Sequence, residues 1–151
     1  MAKKIEINEE LFQDLTKFYI ETFSLSPLAA KIYAYLRFDF ENRGICFDEL
    51  VNVFQASKSS VSSSLNILLS NNFIKDINRI DERRRYFVIN QDYVKIRFEG
   101  IVKRLRKEIE IIDKLSEYRE DQNAALDNRI KIYRSLLNEN ITTIENTLNK
   151  F

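Results

Sequence analysis

The 151 residues are about one domain's worth of chain, and with two glycines and one proline they favour long helices over folds that need many tight turns. The absence of histidine excludes Ser-His-Asp triads, Cys-His dyads and His-ligated zinc, and a single cysteine excludes an intramolecular disulfide. Net charge is +1, yet residues 1–78 carry 8 basic and 10 acidic side chains, residues 79–107 carry 10 and 4, and residues 108–151 carry 6 and 9, which places an anion-facing segment inside a near-neutral chain.

A first helix is predicted from Asn8 as N-cap, with Glu9 and Glu10 at the positive end of its dipole. Leu11, Leu15, Phe18 and Thr22 form its stripe, flanked by Phe12, Tyr19 and Phe23, and so wide an aromatic face must be buried. Ser26-Pro27 starts a second helix, an N-cap followed by proline at the first helical position. Leu28, Ile32, Tyr35, Leu36 and Phe40 follow at helical spacing, and Asn42-Arg43-Gly44 is expected to end it, with Gly44 as the left-handed residue. Ile45-Cys46-Phe47 reads as a single bridging strand, with Cys46 expected to be a small buried residue. Asp48-Glu49 open a short helix carrying Leu50, Val51, Val53 and Phe54. After Gln55-Ala56, Ser57 caps a further helix with the stripe Val61, Leu65, Leu68 and Leu69, and Asn71-Asn72 stops it. Two short helices on a three- to four-residue turn make a helix–turn–helix candidate.

The character then changes. Phe73–Ile77 and Tyr86–Ile89 are β-prone runs around Asn78–Arg85, a hairpin with a highly charged tip. From Asp92 the chain is helical again, with one stripe through Ile101, Leu105, Ile109, Ile112 and Leu115. A second stripe runs from Leu126 to Phe151 in steps of three and four, and a break is placed near Glu120 to Asn123. An unbroken helix of about 60 residues would extend ~90 Å, too long to bury both stripes in one subunit. No apolar run approaches the roughly 20 residues that span a bilayer, and the start MAKKIEINEE lacks the apolar region of a signal peptide, so the expected setting is cytoplasmic.

Two features carry the functional reading. Ser57, Ser59, Ser60, Ser62, Ser63 and Ser64 are six serines in eight positions. Serine is a weak helix former, so a helix holding this many has a use for its exposed face. At about 100° per residue, Ser59, Ser63 and Asn66 oppose the buried stripe, with Ser60 and Ser62 on the flanks. Short hydroxyls let a helix approach a phosphate backbone, and asparagine pairs with adenine in the major groove. The second feature is Arg79, Arg83, Arg84 and Arg85, a set able to reach phosphates or a minor groove, with Asp81 and Glu82 beside them to pair some of the charge. The candidate DNA-binding residues are therefore Ser57, Lys58, Ser59, Ser60, Ser62, Ser63, Asn66, Arg79, Arg83, Arg84 and Arg85. Lys95, Arg97, Lys103, Arg104, Arg106 and Lys107 wrap around the next helix and read as solvated charges. Asp39, Glu41, Asp48 and Glu49 cluster in sequence, but no nucleophile–base set can be assembled around them, so neither catalytic residues nor a metal or cofactor is expected.

Several segments resemble the GbsR-type regulators, a branch of the MarR-like winged-helix family. Ser26–Leu36 is similar to the helix that precedes their reading unit. Phe47-Asp48-Glu49-Leu50-Val51 resembles the first element of their helix–turn–helix, and Ala56–Ser62 continuing to Leu69 resembles their recognition helix. Arg83–Phe87 resembles the end of their wing, although relatives often carry a glycine near the turn where Asp81-Glu82 stand here. The resemblance implies a homodimeric DNA-binding transcriptional regulator. The expectation is a mainly α (α+β) winged helix–turn–helix protein with long dimerisation helices at both ends. Residues 1–25 form the first packing helix, 26–91 the DNA-binding domain and 92–151 the helical dimerisation region. Double-stranded DNA with an inverted repeat would be the partner. A small-molecule effector would bind where the outer helices meet the winged domain. Tyr19, Tyr33, Phe18 and Tyr133 are aromatics for such a site, and core packing accounts for them equally. The competing reading is a winged helix that binds protein without DNA, which would need neither a serine face nor a basic wing.

Overall fold

A computed structural model describes residues 5–80 and 82–151. The elements run α1 (Glu9–Phe23), α2 (Pro27–Arg37), β1 (Ile45–Cys46), α3 (Phe47–Phe54), α4 (Lys58–Ser70), β2 (Ile74–Asn78), β3 (Arg85–Ile89), α5 (Tyr93–Tyr118) and α6 (Ala124–Leu148). The chain divides into two compact units, one ending at Tyr93 and one of Val94–Phe151.

The first unit is organised around α2. Ser26 caps it, accepting from the Ala29 N–H, and Pro27 occupies its first turn. Ala29, Ala30, Ile32, Tyr33, Ala34, Tyr35 and Leu36 are all buried, so this helix is enclosed on nearly every side. Its three alanines present little side-chain bulk, which lets neighbours approach closely. α1 and α4 pack on it, and β3 closes part of the remaining surface. The sheet is antiparallel in the order β1-β3-β2, with Ile45 opposite Phe87 and Ile74 opposite Ile89. Phe87 on the central strand is fully buried. An aromatic cluster joins four segments: Tyr19 and Tyr33 lie 4.5 Å apart between ring centres, Tyr33 and Phe73 5.0 Å, and Phe73 and Tyr93 4.5 Å. Tyr19 and Tyr33 are thus core residues of this unit. Phe18, in the same helix α1, is 49% exposed, and Tyr133 lies in the other unit, 40% exposed.

Four local features differ from what the sequence predicts. α2 ends at Arg37, five residues short of Asn42, and Phe40 lies off the helix, 85% exposed. Beyond the helix end the Asp39 carboxylate reaches forward to accept from the N–H groups of Arg43, at 3.2 Å, and Gly44, at 2.9 Å, and so shapes the turn into β1. Gly44 is left-handed as expected, but Ser24, Asn42, Gln55 and Asn72 adopt positive φ as well, and Ser24 and Gln55 end α1 and α3. Cys46 is half-buried rather than enclosed, opposite Tyr86 in the sheet. The wide face of α1 is also only partly covered, since Leu11 and Phe18 are each half exposed.

In the second unit α5 and α6 are joined by residues 119–123, and Asn123 caps α6 by accepting from the Leu126 N–H at 3.1 Å. Val102, Leu137 and Ile141 are buried between the helices. Arg134 donates twice to the Asp113 carboxylate, at 2.9 and 3.0 Å, which holds that carboxyl below its usual range. Arg106 bonds Glu145 and Tyr133 bonds Glu108 across the same pair. Ile111, Leu115 and Tyr118 on α5 and Ile132 and Leu136 on α6 remain exposed. Among the described residues no helix is long and apolar enough to cross a membrane.

Phe87→Ala should cost about 3–5 kcal/mol, because the first unit cannot collapse around a void at the centre of its sheet. Urea denaturation checks this, with a lowered midpoint at unchanged slope as the expected result.

Candidate nucleic-acid interface

The helix–turn–helix is built locally. α3 ends at Gln55, which takes a left-handed conformation, and three residues later α4 begins. Ser57 caps α4: its Oγ accepts from the Ser60 N–H at 3.1 Å and donates to Ser60 Oγ at 2.8 Å. A further contact of 3.3 Å joins Ser57 Oγ to Ser59 Oγ. α4 then buries Val61, Ser64, Leu65 and Leu68 and exposes Ser59, Ser60, Ser62, Ser63 and Asn66. Lys58 is exposed at its first turn. Five of the six clustered serines therefore lie at the surface, and the sixth, Ser64, faces α2.

α3 is held against α2 by a side-chain bond. The buried Tyr35 hydroxyl donates to Glu49 Oε1 at 3.2 Å. Burial first, and the neighbouring Glu49 carboxylate second, push the Tyr35 phenol well above its ordinary pKa. The acidic cluster is thereby dispersed into structural tasks. Asp39 caps the Arg43-Gly44 backbone, Glu41 pairs with Arg43, Glu49 receives Tyr35, and Asp48 sits in the first turn of α3.

The wing divides its four arginines into two kinds. Arg85 pairs with Asp76 at 2.9 Å and lies 5.2 Å from the Phe87 ring centre. Arg79 donates to the Arg43 carbonyl at 2.6 Å and lies 4.0 Å from the Tyr86 ring centre. Arg83 and Arg84 are exposed and have no ion-pair partner among the described residues. Asp81, expected to offset part of this charge, lies outside the described residues, and Glu82 is bonded to the Tyr86 hydroxyl. On α5, Arg106 and Lys107 are paired with Glu145 and Glu110.

One surface residue escaped the sequence reading. Ile67 is 44% exposed on the same side of α4 as Ser60 and Ser63, in a shallow groove whose other wall is Ser26, Pro27 and Leu28. The helical wheel carried its signal, since Ile67 stands one turn beyond Ser63, away from the buried stripe.

No protein-family model matches the chain, and no curated protein matches it in sequence. Solved structures do. The crystal structure of a transcriptional regulator is similar at 19% identity, covering 94% of this chain and 95% of that one, with a TM-score of 0.60. MepR, a transcription regulator of the Staphylococcus aureus multidrug efflux pump MepA, is 18% identical over 85% of this chain and 91% of that one, with a TM-score of 0.45. A MarR protein from Peptoclostridium difficile is 16% identical over 95% and 97%, with a TM-score of 0.41. At 19% identity the first likeness shows the fold, a winged helix–turn–helix with helices before and after it, as the resemblance in the sequence implied.

The raised phenol pKa of Tyr35 has a consequence for stability. The unfolded tyrosine ionises near pH 10, the folded one above that, so the contribution is complete below pH 10 and is lost as pH rises beyond it. Tyr35→Phe should flatten the alkaline fall in stability between about pH 10 and 12. Tyr19, also raised by burial, leaves a residual slope. Denaturation midpoints across that range check the sign.

Proposed function

We propose that this chain is a homodimeric, sequence-specific double-stranded DNA-binding transcriptional regulator, without catalytic activity. The observation that carries the reading is the pairing of two surfaces in one winged fold. A 13-residue helix shows hydroxyls and an amide where a solvated helix would show charge, and a wing tip presents Arg83 and Arg84 without ion-pair partners among the described residues. A B-DNA major groove about 12 Å wide admits such a helix. Ser59, Ser63 and Asn66 face the base edges, with Ser60 and Ser62 on the flanks and Lys58 toward the backbone. Ser57 spends its hydroxyl on the cap, so its part is to begin the helix. Arg83 and Arg84 meet phosphates or the adjacent minor groove.

Dimerisation is supported by apolar surface that each unit leaves uncovered: Leu11 and Phe18 on α1, and Ile111, Leu115, Tyr118, Ile132 and Leu136 on the α5–α6 pair. A two-fold pair of reading helices about 34 Å apart reads an inverted repeat. The same apolar stripes would serve a protein partner instead, and that reading fails to explain the serine face.

Fluorescence anisotropy against the DNA upstream of the protein's own gene, with an unrelated duplex as control, tests the proposal. A preference of about a hundredfold or more is expected. Absence of binding to either duplex by a folded dimer would transfer the assignment to protein interaction. Arg83→Ala with Arg84→Ala should weaken binding to all duplexes alike and reduce the slope of log K against log salt by about two. Asn66→Ala should instead relax base preference at one position, at a cost of about 1–3 kcal/mol. Competition titrations separate the two effects.

A further inference from the structure

Sequence pattern groups Arg79 with the other wing arginines, but its surroundings differ from theirs. Its Nη2 donates to the Arg43 carbonyl at 2.6 Å, 36 residues back along the chain, and its guanidinium covers the Tyr86 ring at 4.0 Å. The Tyr86 hydroxyl donates to the Glu82 carboxylate, and the Glu82 N–H donates to the Arg79 carbonyl at 3.1 Å. Residues 79, 82 and 86 thus close a ring at the root of the wing.

The Arg43 carbonyl ties that ring to the body of the unit, and it is itself fixed. Asp39 holds the N–H groups of Arg43 and Gly44. Gly44 has a φ of +100°, and a Cβ added there would stand 3.1 Å from Tyr86 Cβ and 3.2 Å from Ile77 Cδ1. Only glycine lets this loop lie so close to the wing strands. Beyond the ring, Arg85 is anchored to Asp76. Arg83 and Arg84 are therefore a two-residue projection held at both ends, by Glu82 on one side and Arg85 on the other.

We infer that Arg79 is a positioning residue of the proposed DNA-binding surface: it fastens the wing to the Arg43-Gly44 loop so that Arg83 and Arg84 reach DNA already ordered, and it makes no phosphate contact of its own. The inference rests on the DNA-binding reading given above. Its chemistry is specific to arginine. A planar guanidinium stacks on the phenol and bonds the carbonyl at once, whereas a lysine ammonium keeps the charge but has no plane to stack. Holding two charged side chains in place before contact removes part of the ordering cost of binding.

Two measurements on the full-length protein test this. In the free protein, backbone ¹⁵N relaxation of Arg79→Lys should show the amides of residues 83 and 84 falling from rigid order parameters near 0.85 to below about 0.6. The order parameters of β3 and α4 should be unchanged. In DNA titrations, Arg79→Lys should lose affinity about tenfold, as Arg79→Ala does, despite its retained charge. In an Arg83→Ala, Arg84→Ala background, Arg79→Ala should add nothing, because it acts through the residues already removed. Wild-type affinity in Arg79→Lys, or an undiminished cost of Arg79→Ala in that background, would make Arg79 a direct phosphate contact and overturn the inference. Tyr86→Phe, which keeps the ring and removes the Glu82 bond, should mobilise the same two amides and serves if the Arg79 variants fold poorly. If the wild-type protein binds no duplex, the DNA-binding reading fails by itself. The relaxation data then decide the anchor alone, and rigid amides at 83 and 84 in Arg79→Lys would refute it.

Discussion

The burial of α2 is the constraint from which the first unit follows. Seven of its eleven residues are enclosed, so every neighbouring element must bring an apolar face to it. α1 brings Tyr19, α4 brings Val61, Leu65 and Leu68, and the sheet brings Ile45 and Phe87. The aromatic cluster around Tyr33 then ties α1, the start of β2 and the start of α5 to the same centre. A helix enclosed this way gives α4, which packs on it, a firm backing, and side chains carried on a firmly backed helix are held in a fixed register.

The serine-rich helix shows how such a surface is tolerated. Serine competes for backbone hydrogen bonds and lowers helix propensity. α4 offsets this in three ways: a cap by Ser57, burial of Val61, Leu65 and Leu68, and a terminal turn in which Asn71 Nδ2 donates to the Ile67 carbonyl at 2.8 Å. Packing therefore holds the helix together, and its outer face is released from the requirement to stabilise it. That is the condition under which five exposed hydroxyls can serve recognition. The charge distribution follows a related logic. Net charge is +1, and exposed arginine is concentrated at the two-residue tip Arg83-Arg84, so its field is local and falls off within a Debye length of about 8–10 Å.

Much of this was legible because it is written in local hydrogen bonding and periodicity. Asn8, Ser26 and Ser57 each accept from a backbone N–H three residues on, and each marks a helix start within one turn. The break between α5 and α6 falls where the polar interruption stands. The end of α2 was not legible, because Phe40 keeps the helical spacing while the chain instead turns after Arg37, with the Asp39 carboxylate bonding ahead to the N–H groups of Arg43 and Gly44. The left-handed residues Ser24 and Gln55 were missed because sequence pattern assigns positive φ to glycine or asparagine, and a non-glycine residue takes it only at a cost of about 1–2 kcal/mol.

The sequence by itself determined the order of elements, the N-caps Asn8, Ser26 and Ser57, the serine face of α4 and the presence of four arginines around one hairpin. Only the tertiary structure decided which groups those arginines meet. Arg85 finds Asp76 nine residues away across the hairpin, and Arg79 finds the Arg43 carbonyl at a separation of 36. Neither partner can be read from a charge run, because a charge run records which groups are near in sequence, while an ion pair or a hydrogen bond depends on distances of about 3 Å that the fold alone sets. Four arginines that look alike along the chain thus separate into two with partners elsewhere in the fold and two, Arg83 and Arg84, without ion-pair partners among the described residues.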